Sequence, residues 1–91
     1  MEVYWQEVRR GQRLVLDLDD DSGDKEIGGV RETKRGFDAF AKTFGYDPGR
    51  AKKDMQSMCE AKEFVESFRP WEIYQLGEDV AIEPGVRPRL D

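Results

Sequence analysis

Asp17, Asp19 and Asp21 stand at the i, i+2, i+4 spacing of the first three ligands of a calcium loop. Hard divalent cations take carboxylate oxygens, so cation binding is the first chemistry to weigh. The loop does not close. Its sixth position is Ser22, where the sharp turn needs Gly, and its twelfth is Gly28, where a bidentate Glu is needed. Counting from Asp19 instead puts Asp24 and Val30 in those places. The run reads as a solvated, aspartate-rich turn, and no metal is expected on it.

Other reactive groups are few. The chain has no histidine, which removes the commonest general base, the Ser-His and Cys-His nucleophile pairs and most zinc sites. Carboxylate-only catalysis needs a deep cleft that excludes water, and a small core cannot easily surround one. Cys59, the single cysteine, falls on the stripe Met55-Met58-Cys59 and reads as a small buried apolar residue. Gly28, Gly29 and Gly45 lack the spacing of a phosphate-binding loop. The expectation is a protein that is not an enzyme and carries no cofactor.

These residues must be positioned by a small fold. Ninety-one residues make one domain with a modest core. The chain is 38% charged, but 37% apolar and 11% aromatic residues set it apart from a disordered segment. No apolar run approaches the length of a membrane span, and the start MEVYWQEVRR has no signal-peptide core. With one cysteine there is no internal disulfide, and a cytoplasmic location is expected.

Charge is arranged in blocks. Residues 17–26 hold six acids and one base, a net of −5, which equals the net charge of the whole chain. Residues 31–53 carry seven bases against three acids, and residues 54–83 two bases against eight acids. Blocks of this kind bear on partners and association rates.

Val3–Val8 and Arg13–Leu18 read as a hairpin, with Leu14, Leu16 and Leu18 in half-buried alternation. A three-residue link, Arg9-Arg10-Gly11, sets Trp5 opposite Val15 and puts Tyr4 on the leucine face; a two-residue link swaps the faces of the first strand. Glu26–Glu32 is a short third strand, weakened by Gly28-Gly29. Phe37, Phe40, Ala41 and Phe44 recur at i, i+3, i+4, i+7 and predict a helix ended by Gly45. Asp47-Pro48 begins another over about 48–56. Ser57 and Glu60 form a capping box that breaks the chain there and opens a third helix over about 58–68. Trp71–Leu76 and Val80–Glu83 then form a second hairpin, and 84–91 is an extended or flexible C-terminal tail behind a single domain spanning 1–83. The order is β-β-(β)-α-α-α-β-β. It gives the class as α+β, a small antiparallel sheet with two to three short helices on one face.

Such a sheet leaves its other face to solvent or to a partner. The three-residue link places Val3, Trp5 and Val15 there, beside the acidic residues Asp19, Asp20, Asp21 and Asp24. The leading functional expectation is a non-catalytic accessory, regulatory or inhibitory protein that docks on a larger protein through this surface, its acids competing with nucleic acid for a basic groove. The alternative is nucleic-acid binding through the basic block, using Arg31, Lys34, Arg35, Arg50, Lys52 and Lys53, with Arg9 and Arg10 as neighbours. The incomplete calcium loop is directly testable. Millimolar calcium or magnesium should leave the melting temperature unchanged, and a rise of several degrees saturating below ~10 μM would reveal a true site.

Overall fold

A computed structural model describes residues 2–17, 23–43, 46–74 and 80–89. The first two strands form as expected, β1 over Glu2–Val8 and β2 over Gly11–Asp17. Their link has two residues rather than three, because Val8 pairs with Gly11. Arg10 takes the left-handed conformation (φ 64°), which the sequence assigned to Gly11. Gly11 is needed for a different reason: a Cβ there would run into the Val30 carbonyl oxygen. The shorter link moves the register by one, so Trp5 faces Leu14 and Tyr4 faces Val15.

The third strand, β3, runs over Asp24–Thr33. The next two elements are strands where helices were predicted: β4 over Gly36–Thr43 and β5 over Tyr46–Met55. In β4 the deciding pattern is alternation. Ala39 and Ala41 are buried and Phe37 is packed against the core, while Phe40, between them, is 40% exposed. Phe44 lies outside the described residues. Arg50-Ala51-Lys52-Lys53 suits a helix by intrinsic preference, yet pairing with β4 draws it into an edge strand.

Met58–Ser67 forms α1, the one α-helix among the described residues. Ser57 caps it as the capping box predicts, its hydroxyl accepting from the Glu60 N–H at 3.0 Å. The helix ends at Phe68, Arg69 turns left-handed (φ 49°), and Pro70–Tyr74 makes a 3-10 turn where the second hairpin was expected. Residues 75–79 are outside the described set. β6 over Ile82–Arg87 then pairs in parallel with β1, so the boundary drawn at residue 83 falls inside a strand.

The sheet order is β5-β4-β3-β2-β1-β6. The architecture is therefore a six-stranded mixed sheet with one α-helix and one 3-10 turn, not an antiparallel sheet carrying two to three helices. The helix lies over β3 and β4, seated on small side chains. Ala61 and Val65 from α1 meet Ala39, Ala41 and Gly28, and a Cβ on Gly28 would come 2.5 Å from Val65 Cγ1. Val3, Trp5, Leu14, Leu16, Ile27, Val30, Met55 and Trp71 complete this layer. The Trp5 indole N–H donates to Glu66 Oε2 at 2.8 Å, and the Lys62 ammonium sits 4.9 Å from the Trp5 ring centre. Close seating gives a direct test. Gly28→Ala should destabilise the protein by about 1–3 kcal/mol through overpacking, read as a lower urea midpoint at unchanged slope. A loss below ~0.5 kcal/mol would show that α1 is not held against Gly28.

Candidate functional site

Strand alternation fixes which side chains stand on the sheet face opposite α1. They include Glu2, Tyr4, Gln6 and Val8 of β1, Arg13, Val15 and Asp17 of β2, Asp24, Glu26, Gly29 and Arg31 of β3, Asp38, Phe40 and Lys42 of β4, and Ala51 and Lys53 of β5. This face divides into a closed half and an open half.

Over β6, β1 and β2 the face is roofed by its own polar side chains. The Arg87 guanidinium lies 3.6 Å from the Tyr4 ring centre and pairs with Glu2 at 2.6 Å and Glu83 at 2.8 Å. These carboxylates hold Arg87 well above its ordinary range, so it stays charged. Arg13 donates to Gln6 Oε1 at 2.6 and 2.9 Å, and the Tyr4 hydroxyl donates to Asp24 at 3.1 Å. Tyr4 and Val15 are consequently buried although no helix covers them. Of the apolar residues in this half, Val8 at the end of β1 stays exposed.

Over β3, β4 and β5 the face is bare. The Phe40 ring lies between Gly29 and Ala51, its register partners on either side. A Cβ on Gly29 would meet Phe40 Cε1 at 2.8 Å, so the ring leans onto the Gly29 backbone and covers it. Around it stand Arg31, Lys42 and Lys53, which make no ion pair with another described residue. The neighbouring acid, Asp38, is engaged in accepting from the Asp54 backbone N–H at 3.1 Å.

At the end of the sheet where β1 and β3 finish, the β1–β2 turn brings Arg9 and Arg10 against Arg31. The Glu32 N–H donates to the Arg10 carbonyl at 2.7 Å and fixes that turn to β3. Among the described residues, these three arginines line a shallow hollow of about 340 Å³. A larger hollow of about 470 Å³ beside it is of mixed charge, lined by Glu7, Arg9, Arg13, Glu26 and Arg89 among others. Lys34 and Arg35, exposed in the β3–β4 turn, lie at the same end of the sheet. Acids collect elsewhere: α1 and the 3-10 turn carry Glu60, Glu63, Glu66 and Glu72.

The residues singled out from sequence are therefore redistributed. Val3 and Trp5 are 1% and 2% exposed beneath α1, and Val15 is fully buried under the roofed half, so none of the three forms an open docking surface. The cause is the two-residue link, which turned β1 over. Asp24 is exposed and engaged with Tyr4; Asp19, Asp20 and Asp21 lie outside the described residues. Of the basic block, Arg31 and Lys53 reach the open face, while Arg50 and Lys52 alternate onto the helix side of edge strand β5. Cys59 is exposed rather than buried, its Sγ 3.8 Å from Glu63 Oε1, an acid and not an activating base. Among the described residues no three His, Cys, Asp or Glu side chains converge as metal ligands. None of their helices is long and apolar enough to cross a membrane. Phe40 was missed as a surface residue, although Ala39 and Ala41 on either side of it carry the strand signal.

No family model, no curated protein and no solved structure matches this chain. The site has to be read from its own chemistry.

The roof makes one measurable claim. Burial, reinforced by the hydrogen bond to Asp24, raises the Tyr4 hydroxyl above its ordinary pKa of 10.0. The neutral phenol therefore contributes stability in full below pH ~10, and that contribution is lost as pH climbs through the raised value. Titration of phenolate absorbance should show a late-ionising component that Tyr4→Phe removes, together with a shallower loss of stability above pH ~10. A titration unchanged by Tyr4→Phe would contradict the roof.

Proposed function

We propose that this is a non-catalytic binding domain that engages nucleic acid through the open half of its sheet and the arginine end beside it. The observation that carries this reading is the hollow bounded by Arg9, Arg10 and Arg31, to which the described residues contribute guanidinium-bearing side chains only. Guanidinium groups match phosphate oxygens in pairs and keep their charge at any physiological pH. Lys42 and Lys53 add positive charge to the face that carries Phe40.

The net charge of −5 is that of the whole chain, whereas the surface met by a ligand is local: Arg9, Arg10 and Arg31 gather at one end of the sheet. The glutamates of α1 point away from the sheet face that holds the bases, and at ordinary salt, charges more than about 8–10 Å apart are largely screened in solvent. Docking on a larger protein through an apolar sheet face, by contrast, loses its anchors, since Val3, Trp5 and Val15 are interior.

Binding to a labelled oligonucleotide, followed by anisotropy, should weaken steeply with salt. Arg9, Arg10 and Arg31 changed together to Glu should lower affinity by ~10²-fold or more and make the salt slope shallower by about two to three. Asp19, Asp20 and Asp21 changed together to Lys should strengthen binding. If wild-type protein at ~100 μM and low salt binds no oligonucleotide, the proposal fails.

A further inference from the structure

We infer that the nucleic acid taken is single-stranded, with an unpaired base stacked on Phe40 and the adjoining phosphate held by Arg31; this rests on the nucleic-acid reading above. A surface phenylalanine is by itself unremarkable. Three features of its setting give Phe40 a task. Its ring is 40% exposed in the open half of the sheet, whereas the other exposed large apolar residues, Val8, Phe68 and Val86, sit at a turn, a helix end and an edge strand. Its cross-strand neighbours, Gly29 and Ala51, have the smallest side chains available, so a planar group can approach without meeting another side chain. The nearest carboxylate, on Asp38, is turned to the Asp54 backbone and leaves the phosphate side to Arg31.

Spacing supports the pairing of the two. Arg31 stands directly opposite Asp38, and Phe40 is two residues further along β4. That diagonal places their Cβ atoms about 7–8 Å apart, within the reach of one nucleotide from base to phosphate. Arg31 also borders the hollow with Arg9 and Arg10, so the backbone of a strand passing from Phe40 over Arg31 meets two further guanidinium groups. Stacking needs a base whose face is free. In a duplex the faces are covered by neighbouring pairs, and only edges and phosphates would meet this surface. Aromatic side chains on an open sheet among cations are the general solution for holding unpaired bases irrespective of sequence.

The experiment compares oligo-dT, oligo-dA and a duplex of the same length by anisotropy. The proteins are wild type, Phe40→Leu and Phe40→Trp, with circular dichroism confirming that each folds. Phe40→Leu should weaken single-strand binding by about tenfold or more while leaving duplex affinity and the salt slope unchanged. Phe40→Trp should retain single-strand affinity, and its new indole should be quenched on binding, as stacking demands. If Phe40→Leu leaves single-strand affinity unchanged, or lowers duplex affinity equally, this inference is wrong. Wild-type protein that binds duplex but not single strands also overturns it while leaving the broader proposal standing, and failure to bind either removes both.

Discussion

The indole of Trp5 joins the two layers of this protein. It enters the core from β1, hydrogen-bonds Glu66 of α1 through its N–H, and lies under the Lys62 ammonium. Burial lowers the Lys62 pKa, with Glu66 opposing that shift, so the cation, carboxylate and ring make one compact arrangement. It exists only because β1 and β2 are linked by two residues. One residue more would turn Trp5 outward and Tyr4 inward, and α1 would lose its polar tie to the sheet. Register comes first, and it sets the helix position.

The same register explains why the two halves of the far face differ. Strands β1 and β2 carry long polar residues that fold down over Tyr4 and Val15, so that half is sealed by hydrogen bonds and ion pairs. Beyond Gly29 no side chain is long enough and suitably paired to do likewise, and Phe40 stays uncovered. Polar satisfaction on one side and its lack on the other decide where a ligand can reach the sheet. The arginine hollow arises where that open half meets the β1–β2 turn.

Local features were legible in the sequence. Ser57 and Glu60 fixed the start of α1 because a cap is made by neighbours in the chain. Leucine alternation found β2, and the basic block was visible as composition. Features set by distant pairing were not legible. Phe37, Phe40 and Ala41 happen to match a helical stripe, although Ala39 and Ala41 alternate equally well, and only the seating of α1 on Gly28 shows which period governs. β5 consists of helix-favouring residues held extended by β4, and β6 contains Pro84, which suits only an edge. The site suffered most from this, since a face cannot be assigned until the register is known.

Parallel pairing of β6 with β1 joins Val3 to Ile82, two positions far apart in sequence. During synthesis β1 emerges well before β6, its outer neighbour. In the interval β1 is a bare strand edge with Tyr4 unroofed, because Arg87 has yet to arrive. Strand edges of this kind recruit other strands, from the same chain or from a nascent neighbour. The order in which the ribosome delivers these segments thus leaves the outer edge of β1 open to mispairing until β6 arrives and takes over as the edge of the sheet.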